Sequence, residues 1–155
     1  MTLLDWALTV YARPEVEEAL LDLQDVGEQN VCLLLWAAWS GESARTLDEE
    51  AFEEAADVAR AWETAAILAL RNVRRDLKKP IPDIETSARE AVREAVKSVE
   101  IEAEKALLVQ LGHVGDRGGK LHSTTDALVG AARAWATITP RARLEALAEL
   151  LSARA

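Results

Sequence analysis

Cysteine, proline and glycine are scarce in this chain of 155 residues, which holds one, four and seven of them. A single thiol, Cys32, excludes an internal disulfide and fits a reducing compartment. With only two histidines beside it, the usual structural zinc sites are out of reach, and neither Cys-x-x-Cys nor His-Glu-x-x-His occurs. No apolar run approaches the roughly 20 residues of a membrane span. The start, Met1-Thr2-Leu3-Leu4-Asp5-Trp6, has no basic region, so no secretory signal is expected. Positive charge is in deficit, 18 basic against 27 acidic side chains for a formal −9, which disfavours general attraction to nucleic acid or anionic lipid. Half the residues are hydrophobic, enough for one sizeable core. The expectation is a single acidic, cytoplasmic domain over residues 1–155, without a cofactor or metal.

The few glycines and prolines fall between segments whose apolar residues recur every three or four positions, the layout of a helical protein. A short helix over about 2–12 is followed by one that Pro14 opens and Gly27 ends. Asn30 caps a third, in which residues 31–39 are nine consecutive apolar positions. Such a helix must be buried on nearly all sides; a buried strand is the competing reading, disfavoured by Leu, Ala and Trp and by the Asn30 and Gly41 brackets. Thr46 and Glu49 have the spacing of a capping box. From there Phe52, Ala55, Ala56, Ala59, Trp62, Ala66, Leu70, Val73 and Leu77 keep helical period, as one helix or two with a kink. Pro80-Ile81-Pro82 makes a rigid turn, and Asp83 caps a second long helix with the stripe Ala88, Val92, Ala95, Val99, Ala103, Ala106. After a glycine-rich loop over 112–122, Ser123 starts a helix to about Ala136, and Thr139-Pro140 opens a last one burying Leu144, Leu147 and Leu150. No strand is expected. The fold class is all-α, a bundle of six or seven helices with an antiparallel hairpin around Pro80 to Pro82.

Little of the inventory points to catalysis. Cys32 lies inside the apolar helix, where burial makes a thiol inert, and no serine has a Gly-x-Ser-x-Gly context. The acid pairs Glu90 with Glu94 and Glu100 with Glu104 read as a solvated face, because a di-iron bundle would need Glu-x-x-His twice. The glycine loop departs from a phosphate-binding loop at Val114 and Leu121. It reads as a mobile connector, with an anion grip by His113, Arg117, Lys120 and His122 the alternative.

Two features stand out. Arg71, Arg74, Arg75, Lys78 and Lys79, interrupted by Asp76, place a local +4 just before Pro80, read as a continuous solvated stripe for an anionic partner. Five of the seven aromatic residues are tryptophan. Trp6, Trp36, Trp39 and Trp62 fall in the first half, with Gln24, Asp25 and Asn30 the nearest candidates to receive their ring N–H bonds; these residues outline a core or a half-open groove.

The residues Tyr11, Val16, Leu21-x-Leu23-Gln24-Asp25, Gly27, Asn30-Val31-x-Leu33-Leu34-Leu35-Trp36, Trp39, Trp62 and Leu70-Arg71-x-x-Arg74-x-x-Leu77-Lys78 resemble a family of small proteobacterial proteins of unknown function. Where that pattern commonly has proline before the Leu-Arg pair, this chain has Ala69, which leaves the helix free to continue. The resemblance implies a small bacterial cytoplasmic protein and supplies no activity. The functional expectation is a noncatalytic interaction or adaptor module that binds an acidic or helical protein partner. A small-ligand-binding or enzymatic protein with a tryptophan-lined pocket is the alternative. Nucleic acid is not expected as a partner.

Overall fold

The computed structural model describes residues 1–135 and 138–153. In chain order these form α1 (Leu3–Tyr11), α2 (Pro14–Asp25), α3 (Val31–Glu42), β1 (Thr46–Leu47), α4 (Glu49–Trp62), a π-helical turn (Glu63–Ile67), α5 (Leu68–Asp76), α6 (Thr86–Leu111), β2 (Lys120–Leu121), α7 (Thr124–Ala134) and α8 (Arg141–Ser152). Taking α4, the π turn and α5 as one rod, seven helices make an all-α bundle over the described residues.

Asn30 turns the chain into the helix that organises the rest. Its side-chain oxygen accepts from the Leu33 N–H at 2.9 Å, and the Cys32 to Ser40 stretch that follows is buried throughout. A helix apolar on every side needs neighbours on every side, and α1, α2, α4, α6 and α7 supply them. Gly41 does not end α3, which runs one residue further. Its missing side chain lets α7 approach, since a Cβ there would meet the Thr124 Cα at 2.8 Å.

Several local expectations change. The capping box is absent because Thr46 and Leu47 pair antiparallel with Leu121 and Lys120 in a two-residue sheet, a strand contact that the helical periodicity around it conceals. Asp48 caps α4 in place of Thr46, accepting from the Ala51 N–H at 2.8 Å. Asp83 does not cap α6: it sits left-handed in the turn at φ 65°, and α6 starts at Thr86 behind Glu85. The glycine-rich loop is tied to its neighbours by side-chain contacts. Asp116 accepts from the Thr46 N–H, Arg45 pairs with Asp116, and Arg117 pairs with Glu54. α7 ends at Ala134, and the expected end at Ala136 lies outside the described residues.

The α5 and α6 helices form the hairpin expected around Pro80 to Pro82. At its tip Arg89 is buried and donates from Nη1 to the Leu77 carbonyl at 2.6 Å. The α6 stripe is only half covered. Ala103 is buried and Ala106 half-buried, but Ala88, Val92, Ala95 and Val99 are exposed, because the face that α6 turns inward over this stretch lies one residue further on, at Arg89, Arg93, Val96 and Glu100. Replacing both Val92 and Val99 with glutamate is therefore expected to shift the unfolding free energy by no more than about 0.5 kcal/mol each, as for ordinary surface positions. Thermal unfolding checks this, and a fall of several kcal/mol would show the stripe to be covered.

A π turn sets the phase of the hairpin's first strand of contacts. Before it, Phe52, Ala55, Ala56 and Ala59 face the core; an uninterrupted α-helix would continue that face through Leu70, Val73 and Leu77. Within the turn the Leu68 N–H reaches the Glu63 carbonyl five residues back, so the turn takes up about one residue more than an α turn. The inward face is thereby delayed to Ile67, Arg71 and Arg74. Val73 is left outside, 45% exposed.

Candidate functional site

The delayed phase drives Arg71 into the protein. Its guanidinium is shared among three carboxylates: Nε lies 3.4 Å from Glu100 Oε1, Nη1 lies 3.4 Å from Glu63 Oε1, and Nη2 lies 3.6 Å from Glu104 Oε1. Arg74 donates from Nε to the other oxygen of Glu100. Glu63, the first residue of the π turn, also accepts from Asn30 Nδ2 at 3.1 Å, which ties the cluster to the N-terminus of α3. Burial of Arg71 and Glu100 is tolerated because each is held directly by groups of opposite sign.

Two expectations fail here for one reason. The basic residues do not form a continuous solvated stripe: Arg71 is buried, Arg74 is half-buried, and Arg75, Lys78 and Lys79 remain exposed. Arg75 pairs with Asp25 across to α2 at 3.1 Å. The acids do not form a solvated face either. Glu90 and Glu94 are exposed, but Glu100 is buried and Glu104 half-buried, since they stand opposite the arginines that the π turn brings inward.

In front of the cluster opens a cavity of about 450 Å³ between α1, α2, α3, α5 and α6. Its apolar wall includes Ala7, Leu8, Leu21, Leu35, Ile101 and Leu108. Tyr11, Cys32, Arg71, Arg74, Glu100 and Glu104 provide its polar side, with Glu17, Gln24, Lys97 and Lys105 also on the lining. Burial is the chief influence on three of these groups. It pushes the Tyr11 hydroxyl up to about 12, with help from Glu17 and Glu104, and pushes the Cys32 thiol well up, so neither ionises at neutral pH. The Glu104 carboxyl is raised above the ordinary range by burial and then by the charge of Glu100, against the opposing pull of Arg71 and Arg74.

The sign of the Glu104 shift sets a pH dependence. A carboxyl raised in the folded state contributes stability below the unfolded value of 4.5, and loses it as pH rises through the folded value. Glu104→Gln is therefore expected to be at least as stable as the natural chain at pH 7, with the difference vanishing on acidification through the Glu104 range. Urea unfolding at several pH values checks this. A clear loss of stability at pH 7 would mean that Glu104 is instead a net-favourable ion-pair partner.

The tryptophans do not line the cavity. Trp36 is fully buried and donates to the Val114 carbonyl; Trp39 lies under the Arg45 guanidinium, 4.5 Å from its ring centroid. Trp6 donates to Glu42, and Trp62 to Gln110. None uses Gln24, Asp25 or Asn30: these were the polar residues nearest in sequence, whereas the acceptors come from far along the chain. Of the expected groove residues only Gln24 reaches the cavity, where Arg71 and Arg74 of the expected stripe join it. Sequence reasoning missed Tyr11, Glu63, Glu100 and Glu104. The four-residue spacing of Glu100 and Glu104 was their one visible signal.

His113, Arg117, Lys120 and His122 are not gathered into an anion grip. His122 Nε2 contacts the Leu47 carbonyl at 3.1 Å, and Arg117 is taken by Glu54. His122 does line a wider cavity of about 650 Å³ with Phe52, Lys120 and Arg133. Among the described residues no group of three or more His, Cys, Asp or Glu side chains is placed to hold a metal ion, and no helix is long and apolar enough to cross a membrane.

Compared with known families, the chain matches at residues 2–111 the model described as a protein of unknown function (DUF2390). That span contains every wall residue of the Arg71 cavity, and it ends before Lys120, His122 and Arg133 of the wider one. Neither the curated proteins nor the solved structures yield a match.

Proposed function

The chain belongs to the DUF2390 family, and from that footing we propose that it is a noncatalytic, cytoplasmic binding protein whose Arg71 cavity takes a small amphipathic molecule. One observation carries the reading: a charged cluster, held inside by a π turn, opens on a cavity whose facing wall is largely apolar. Ligand sites combine these two features, apolar area for affinity and a few fixed polar groups for orientation. The π turn adds weight, because such turns are frequent at functional sites. A noncatalytic role fits the chemistry of the lining, where the thiol and phenol are held protonated and Glu100 is tied to two arginines. The lone buried cysteine fits a reducing, cytoplasmic setting.

The test is a thermal-shift panel of small aromatic and aliphatic amphiphiles carrying positive, negative or no charge. A ligand at a hundred times its Kd stabilises by about 2.7 kcal/mol, which is roughly 5 to 10 °C for a chain of this size. At least one class is expected to raise Tm in a concentration-dependent way. Leu21→Trp, placed at the exposed rim, is expected to remove that response without lowering the Tm of the free protein. No response from any class, or a response that Leu21→Trp leaves intact, would overturn the reading.

A protein-interaction role is the second reading, favoured by the uncovered stripe of Ala88, Val92, Ala95 and Val99, whose spacing of four, three and four suits a partner helix. Exposed Arg75, Lys78 and Lys79 at the end of the same hairpin suit an acidic one. The Val92 and Val99 glutamate variant, folded but unable to capture a partner, would support it.

A further inference from the structure

We propose that the ligand of the Arg71 cavity carries one protonated amine on a compact apolar body, with the ammonium seated against the Glu104 carboxylate. The inference rests on the ligand-binding reading above and adds the charge of the ligand.

Charge balance inside the confined cluster sets the sign of the ligand. Two arginines, Arg71 and Arg74, meet three carboxylates, Glu63, Glu100 and Glu104, which leaves one negative charge unmatched. Glu100 is held by both arginines, and Glu63 by Arg71 and by Asn30 Nδ2. Glu104 has only Arg71, at the longest separation of the three, so the deficit falls on it. It is also the most open of the three, with about a third of its side chain accessible (35%) against 6% for Glu100, and it lines the cavity where Glu63 does not. An ammonium there would bring one charge of the missing sign and donors for oxygens that Arg71 does not saturate. An anion would have to add a fourth negative group around Arg71.

The remaining lining narrows the class. Lys97 and Lys105 also line the cavity, and although Lys105 is drawn to Glu102 at 3.5 Å, both stand against a polycation. One positive charge is matched; several are not. The apolar side, with Leu8, Leu21, Leu35 and Ile101, is suited to a ring or short branched chain, and about 450 Å³ holds a molecule of that size.

The test is calorimetric titration of the full chain with 2-phenylethylammonium, 2-phenylethanol and 3-phenylpropionate, which share a body and differ in charge. The amine is expected to bind at least about tenfold more tightly than the other two, the scale of one hydrogen bond to a charged group. Glu104→Gln is expected to remove that preference while leaving the alcohol's affinity unchanged. Glu94→Gln, which changes an exposed acid of α6 outside the cavity lining, is expected to keep the preference. If the alcohol or the carboxylate binds wild type as tightly as the amine, the cavity still binds ligands and the amine assignment is overturned. Retention of the full preference in Glu104→Gln overturns it as well. If none of the three binds, the amine assignment falls, and the thermal-shift panel decides separately whether the cavity takes ligands at all.

Discussion

Replacing Arg71 with alanine is expected to lower the unfolding free energy by about 3 to 5 kcal/mol, on the order of 10 °C in Tm. The physical reason is asymmetric. The intact cluster contributes little net stability, because desolvation of the ions offsets their attraction. Removing the shared cation leaves Glu63 and Glu104 facing Glu100 with Arg74 as the one arginine left, and Arg74 bonds only Glu100. Arg71→Lys restores a charge but not the planar fork that meets three carboxylates from Nε, Nη1 and Nη2, so it should recover only part of the loss. Urea unfolding at pH 7 checks both. At acid pH, where the carboxylates protonate, the alanine variant should close much of its gap with the natural chain.

A loss of similar size is expected for Trp36→Ala, about 3 to 5 kcal/mol. Trp36 is fully buried in α3, meets Phe52 edge to face at 5.8 Å, and donates from Nε1 to the Val114 carbonyl at 3.3 Å. It thus joins the central helix to α4 and to the loop that follows α6. Truncation leaves a cavity that the neighbours can only partly fill. Trp36→Phe should cost far less, because the ring is kept and the Val114 carbonyl still receives Arg45 Nη2 at 3.1 Å. Equal effects of the two changes, read from unfolding curves, would assign the loss to the hydrogen bond rather than to packing.

The comparison of these two sites shows what the sequence can reveal. Nine apolar residues between Asn30 and Ser40 can only be a buried segment, and the cap at Asn30 is a local bond, so the start and the burial of α3 were legible, though not its end beyond Gly41. The hairpin was legible too, from its prolines and from two long periodic segments. Arg71 was not. The stretch Glu63-Thr64-Ala65-Ala66-Ile67 holds neither glycine nor proline, and nothing in it announces a π turn that delays the inward face by one residue. Counting at 3.6 residues per turn therefore put Val73 inside and the arginines outside. The tryptophans show a different limit: their acceptors, Val114 for Trp36 and Gln110 for Trp62, lie 78 and 48 residues away. On α6 the apolar period marks the inward face only near Ala103; between Ala88 and Val99 that face carries Arg89, Arg93, Val96 and Glu100, and a hydrophobic count cannot see a face built on charged residues.

Arg71 lies inside the protein as part of the polar side of the cavity, and the exchange rate of its side-chain Nε–H with water reads that directly. In a nitrogen-correlated proton spectrum at neutral pH, the Arg71 and Arg74 Nε–H signals, assigned by their loss in the Arg71→Lys and Arg74→Lys variants, are expected to persist. Each donates to Glu100, whereas the half-exposed Arg75 should exchange quickly. Arg71 exchanging as fast as Arg75 would place it in solvent, restore the continuous basic stripe, and contradict the cavity's charged side together with the function drawn from it.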